Sequence, residues 1–245
     1  MKIELCAASM EAIKLSKKMN VDRIELCQAL EQGGLTPSPG MIDYALAYGV
    51  ETHVLIRPRP GGFNYSWDEI EIILRDIREC KTLGAHGVVI GALNEMGLID
   101  QKALNLMVDH ADGMEVTFHR AFDDTFEFKK SLDVLIESKV NRVLSSGLSS
   151  NVSLGMEILE AMKNYASGRI EIMAGGGVNS SNIQSLIEIA NPDAIHFSGT
   201  KKFLLDEESM FSETVLKVDE SKVSRIIGTD KLFKLFTQHQ FSAEM

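Results

Sequence analysis

Apolar positions along the first two hundred residues switch repeatedly between two periods. Short runs rich in apolar and β-branched residues predict strands at Lys2–Cys6, Asp22–Cys27, Glu51–Arg57, Gly87–Ile90, Glu115–His119, Arg142–Ser145, Ile170–Met173 and Ala194–Phe197. Between them apolar residues recur every three or four positions, as a helix facing a core requires. Examples are Ser66–Leu83, Gln101–Ala111, Phe126–Ser138, Val152–Tyr165 and Ser180–Ala190. Ser66 with Glu69 has the spacing of a capping box, and Ser38-Pro39 puts proline in a first helical turn. Strands joined through helices pair in parallel. Eight such units in roughly 200 residues predict a single-domain α/β fold, a (β/α)8 barrel of the TIM type. A doubly wound sheet would carry a glycine-rich turn after its first strand, and Cys6 to Ser9 contain no glycine. The barrel is expected to fill residues 1–200. Lys201 to Thr214 lose the periodicity and read as surface loop. Asp219 to Gln238 read as helix broken near Gly228, resting on the barrel or on a partner.

The tetrapeptide Ile-Glu-Leu-Cys occurs twice, at Ile3-Glu4-Leu5-Cys6 and Ile24-Glu25-Leu26-Cys27. Alternate side chains of a strand face opposite ways, so each copy turns Ile and Leu to one face, Glu and Cys to the other. The helix-facing parity must be apolar, which assigns Ile3, Leu5, Ile24, Leu26, Val54, Ile56, Val116, Phe118, Ile195 and Phe197 outward. The barrel interior then receives Glu4, Cys6, Glu25, Cys27, His53, Arg57, Glu115, Thr117, His119 and His196. Barrel interiors are ordinarily filled by branched aliphatics. One explanation of the lower polar positions is a buried ion-pair layer, such as Glu4 or Glu115 with Arg23 or Arg142. Groups at the C-terminal strand ends, Cys27, Arg57, His119 and His196, lie where barrel active sites sit.

The loops that follow the strands point the same way. Arg57 and Arg59 offer planar forks for carboxylate or phosphate beside a strand end. Ser145-Ser146-Gly147, Gly175-Gly176-Gly177 and Ser198-Gly199-Thr200 can present bare backbone N–H groups to an anion, as loops after late barrel strands do. His119 is the candidate acid/base, Glu25 its orienting or proton-transferring partner, and Arg57 and Arg120 electrostatic clamps. Cys27 is a candidate nucleophile if neighbouring cations depress its pKa. Alternatively the inward Cys6 and Cys27, with His119 or His196, suit a soft ion such as Cu(I). A small anionic ligand and a copper ion thus both remain open.

A formal charge of −10 without long basic runs argues against nucleic acid as a partner. No apolar run approaches the roughly 18 residues of a membrane span, and no signal-peptide pattern opens the chain. Three cysteines, Cys6, Cys27 and Cys80, do not make a disulfide framework and fit a reducing, cytoplasmic setting. Cys80 sits on a helical run and reads as core.

Several segments together resemble the CutC family, named for copper homeostasis. They are Arg23–Cys27, Gly33-Gly34-Leu35-Thr36-Pro37-Ser38, Ile56-Arg57-Pro58-Arg59, Val116–Asp123, Arg142–Gly147 and Met173–Val178. The resemblance covers about residues 1–200 and implies a cytoplasmic, homodimeric TIM-like barrel that binds or handles copper, without bringing an agreed reaction. Carried over by position, the family's clustered polar residues fall on Glu25, Cys27, Arg57, His119, Arg120, Asp123 and His196. Two departures stand out. The loop after strand three reads Pro60-Gly61-Gly62-Phe63 and lacks the family's acid, and an arginine-bearing segment common past Ser198 is not evident.

Overall fold

Glu4 opposite Arg23, Cys6 opposite Glu25 and Glu25 opposite His53 set the register of the first three strands. Polar side chains therefore meet polar side chains across the interior. The computed structural model describes residues 1–205 and 214–229. Strands β1 (Lys2–Ala7), β2 (Arg23–Leu26), β3 (Thr52–Leu55) and β4 (Gly87–Ile90) are followed by β5 (Glu115–Phe118), β6 (Arg142–Ser145), β7 (Glu171–Gly175) and β8 (Ala194–Phe197). They pair in parallel in sequence order, and β8 returns to β1, closing the barrel. The crossovers carry α1 (Met10–Met19), α2 (Pro39–Ala47), α3 (Trp67–Leu83) and α4 (Gln101–His110). The remaining three carry α5 (Phe128–Glu137), α6 (Val152–Ala166) and α7 (Ile183–Ala190).

The local signals do what their chemistry dictates. Ser66 and Glu69 form the full capping box that starts α3, and Pro39 opens α2 behind an Ser38 cap. β3 stops short of its expected end because the Arg57 N–H turns to the Thr36 hydroxyl instead of a neighbouring strand. α7 begins three residues later than Ser180 because Asn179 and Asn182 tie the preceding turn to itself.

Ile3, Leu5, Ile24, Leu26, Val54, Ile56, Val116, Phe118, Ile195 and Phe197 all join the main hydrophobic core with the helices, as the alternation predicts. Cys80 lies in the same core. Burial there pushes its thiol up to about 12.

The C-terminal segment corrects the expectation of a plain loop over Lys201 to Thr214. It enters and leaves as β9 (Thr200–Leu204) and β10 (Thr214–Val218), an antiparallel hairpin held to the barrel where the Leu216 N–H donates to Glu31. Thr214, Val215, Leu216 and Val218 supply strand propensity that the weak 201–214 pattern conceals. Residues 220–229 are helical straight through Gly228, with Val223 and Ile226 buried, so the expected break is not there. The rest of the expected tail helix, 230–238, lies outside the described residues.

Candidate functional site

The interior is stratified from base to mouth. In the middle layer the Arg23 Nε donates to Glu4 Oε2, both side chains being fully buried, and His196 Nδ1 lies 2.7 Å from Glu4 Oε1. Lower down, Arg142 donates to Glu115 (2.9 Å), Glu171 (2.6 Å) and the Thr117 hydroxyl (3.1 Å). The ion-pair layer expected of Glu4 and Glu115 with Arg23 and Arg142 is therefore present. Burial works against ionising Glu4, but the hydrogen bond and charge of His196, with Arg23, hold its carboxyl well below the usual range. His196 responds in kind: burial alone would lower it, and the Glu25 and Glu4 carboxylates outweigh burial and raise it.

Above this layer, at the C-terminal strand ends, lies a cavity of about 270 Å3. Cys6, Glu25, Arg57, His119, Arg120 and His196 line it, so six of the sequence-predicted residues converge. Burial, reinforced by Glu4, pushes the Glu25 carboxyl up, against the pull of His196, the Cys6 thiol and Arg23. Cys6 Sγ lies 3.7 Å from Glu25 Oε1 and 3.7 Å from Cys27 Sγ. Cys27 stands two residues beyond Glu25, the register partner of Cys6, and the two thiols still meet. Cys27 itself lies beneath Gly34 and Leu55 and does not line the cavity. The hydrogen bond to Cys27, burial and nearby Glu25 raise the Cys6 thiol well above its ordinary value.

His119 is fixed by its surroundings. Its ring lies against Gly91, where any Cβ would overlap it, and Phe63 stacks at 4.8 Å. Its Nδ1 accepts from the Ala121 N–H at 3.2 Å, so the neutral ring carries its proton on Nε2. That Nε2 is buried with no hydrogen-bond partner. Burial and the nearby Arg57 charge lower the His119 pKa to about 3, so the neutral tautomer is the working form.

Arg57 is buried and faces the same space. Its Nη1 donates to the carbonyls of Gln32 (3.0 Å) and Gly34 (2.9 Å), its Nη2 to Gly61 (2.8 Å). Its Nε has no partner, and no carboxylate pairs with it among the described residues. The guanidinium therefore staples two loops while leaving a positive charge uncompensated at the cavity wall.

Other expected residues sit elsewhere. Arg59 points away from the cavity to Glu69 and the carbonyls of Gly62 and Asn64. Asp123 accepts from the Ser145 hydroxyl (2.6 Å), the Ser146 N–H and hydroxyl, the Leu148 N–H and Arg120 Nε. Ser145 in turn accepts from the Gly147 N–H. These groups satisfy one another and lock the loop after β6, with Arg120 reaching over to Ser146 (2.7 Å). Gly175 gives room to His196, and Gly176, at φ +101°, lets Arg120 lie across the turn where a side chain would collide. The Gly177 carbonyl accepts from Asn182. Ser198 lines a separate cleft of about 260 Å3 with Lys222 and Arg225, so the late-strand loops and Arg57 do not share one pocket. With Gly33, the apolar side chains of Leu30, Leu55, Phe63 and Leu144 complete the cavity wall. Sequence reading did not single them out. Only Phe63 carried a signal, an aromatic two residues beyond the Gly61 that Arg57 holds.

A family model described as the CutC family matches residues 1–201. The chain belongs to the CutC family. It is 42% identical over 212 residues to a CutC family protein of Glaesserella parasuis, covering 85% of this chain and 87% of that one. A Bacteroides thetaiotaomicron CutC relative is 37% identical over 242 residues, covering 94% and 97%. The crystal structure of the Streptococcus agalactiae CutC protein matches with a TM-score of 0.77 at 33% identity, covering 80% of this chain and 97% of that one. Thermotoga maritima phosphoribosylanthranilate isomerase matches at TM-score 0.59 with 13% identity, covering 94% and 98%, which is a likeness of fold alone. Among the described residues no helix is long and apolar enough to cross a membrane.

Proposed function

We propose that the barrel mouth of this CutC-family protein binds a small organic anion and acts on it by proton transfer, in lyase, isomerase or hydrolase chemistry. The observation that carries this reading is the uncompensated buried Arg57 guanidinium beside the unpartnered Nε2–H of a neutral His119. Both are buried donors at the cavity wall, the arrangement that stabilises a developing oxyanion. An imidazole kept neutral cannot collect a proton near pH 7, so His119 serves as electrophile and the acid/base role passes to Glu25. A carboxyl whose pKa burial raises is better suited to proton transfer than an ordinary one. His196, held by Glu4 through its Nδ1, adds a second imidazole to the cavity wall. Asp123, Ser145 and Gly147 position Arg120 rather than touch the ligand.

Thermal-shift screening at millimolar concentration against small carboxylates and phosphate monoesters should give a stabilising ligand. The shift should disappear in His119→Phe, which keeps a ring against Gly91 but removes the donor, and persist in Arg59→Ala. A shift that survives His119→Phe would place the ligand elsewhere.

A second reading has its own support. Cys6 and Cys27 bring two sulfurs within 3.7 Å, with Glu25 and His196 close by, and the Streptococcus relative carries a copper-homeostasis name. Thiol sulfur suits Cu(I) as cargo. The raised Cys6 pKa means that the ion would have to displace a firmly held proton. Anaerobic titration against a competing Cu(I) chelator should then show tight binding that Cys6→Ser with Cys27→Ser abolishes; unchanged affinity would remove the thiols as ligands. The free thiols of Cys6, Cys27 and Cys80 support a reducing, cytoplasmic location. A homodimer is the assembly the family resemblance implies.

A further inference from the structure

The opposite end of the barrel holds a cluster that the mouth chemistry leaves unused. Glu51 precedes β3, His53 lies within it, and Glu115 and Glu171 open β5 and β7, so all four gather at the N-terminal strand ends. The His53 side chain is fully buried, and among the described residues neither ring nitrogen has a hydrogen-bond partner. Its Nε2 lies 3.5 Å from Glu51 Oε1 and 3.8 Å from Glu115 Oε2. One donor atom from each of the three residues falls within 4.8 Å of the other two. We propose that the base of the barrel is a binding site for a divalent transition-metal ion of the zinc type, with Glu51, His53 and Glu115 as its protein ligands.

The geometry is close to what such an ion needs. Zinc holds imidazole nitrogen and carboxylate oxygen at about 2.0–2.2 Å, which in a tetrahedron separates ligand atoms by about 3.3 Å. The observed 3.5 and 3.8 Å need only a small contraction. Imidazole with two carboxylates is a borderline-to-hard donor set that favours zinc over the soft Cu(I) suited to Cys6 and Cys27. His53 is ready to ligate, because its buried Nε2 is unpartnered among the described residues and lies between the Glu51 and Glu115 carboxylates. Gly87 fixes the ring, since a Cβ there would meet His53 Nδ1 and Cε1 at 2.6 Å.

Charge points the same way. Arg142 serves Glu115 and Glu171, whereas Arg23 is committed to Glu4 and comes no closer than 3.9 Å to Glu51. The positive charge of Lys2 also reaches Glu51 and Glu115. Glu51 and Glu115 are about two-fifths exposed, which gives an ion a path from solvent to the buried His53. An ion there would tie β3 to β5 at the end of the barrel where stability rather than catalysis resides. This site does not depend on the ligand proposed for the mouth.

Equilibrium dialysis with Zn2+, and titration with Co2+ as its spectroscopic substitute, tests the proposal on the whole chain. One equivalent should bind with a Co2+ d–d spectrum free of thiolate charge transfer, and Zn2+ should raise the melting temperature. Glu51→Gln, at a half-exposed position where the metal-free fold is kept, should weaken binding at least tenfold and abolish the thermal shift. Cys6→Ser should change neither. No stoichiometric binding below millimolar metal, or equal affinity in Glu51→Gln, would overturn the site, and charge-transfer bands lost in Cys6→Ser would assign the ion to the mouth instead.

Discussion

Replacing Glu4 with leucine should lower the stability of the barrel by about 3–5 kcal/mol, because it leaves the fully buried Arg23 guanidinium without its carboxylate. The same change strips His196 of its partner at Nδ1. Urea denaturation of the single variant measures the loss. Pairing it with Arg23→Leu should restore most of the stability, since an apolar pair of similar volume is often as stable as the buried ion pair it replaces. Equal losses in the single and double variants would mean that the pair contributes volume rather than charge.

Stability should also depend on pH in a defined direction. The depressed Glu4 carboxyl contributes fully above the unfolded value of about 4.3, and that contribution is lost as pH falls through its folded value. The raised His196 contributes fully below the unfolded value of about 6.5, and that contribution is lost as pH rises through its folded value. The stabilisation contributed by Glu4 and His196, read as the melting-temperature difference between wild type and Glu4→Leu, should therefore be largest between about pH 4.3 and 6.5, while the neutral His119, its pKa held at about 3, lowers the stability of both proteins as pH falls through the same window.

Arg57→Ala should reduce affinity for an anion bound at the mouth by about tenfold to a hundredfold, the loss of one charged hydrogen-bond donor worth about 1.5–3 kcal/mol. Three carbonyls, those of Gln32, Gly34 and Gly61, lose their donor at the same time. Two readouts separate these effects. Protease sensitivity of the loops after β2 and β3 reports the staple, and ligand titration reports the charge. Arg57→Lys keeps the charge but not the three-way fork, so it should recover part of the affinity while the loops stay loose. Full affinity in Arg57→Ala would exclude the guanidinium from recognition.

The parity of each strand was legible because one face had to be apolar, and that assigned Glu4, Cys6, Glu25, Arg57, His119 and His196 to the interior. What each group does there was not, because hydrogen bonding decides it. His119 reads as an acid/base from its type alone; only burial and the neighbouring Arg57 charge make its working form neutral, with the Ala121 N–H at Nδ1 selecting the tautomer. Asp123 carries a family-like position, yet five donors from Ser145, Ser146, Leu148 and Arg120 occupy it. Ser198 shares a strand-end level with His196 but turns into another cleft, since the path of the chain beyond β8 depends on helix 220–229. The Glu51–His53–Glu115 grouping escaped notice because its members come from two distant segments and meet only when β3 and β5 flank β4.

The β9–β10 hairpin carries one more implication. It encloses a hollow of about 420 Å3 against the turns after β1 and β2, and Leu30 forms a wall of both that hollow and the mouth. The family-wide match ends at residue 201, near the start of β9. The hairpin thus adds, beyond the stretch the family model covers, a second hollow that shares Leu30 with the mouth, so a change that moves Leu30 would reshape both at once.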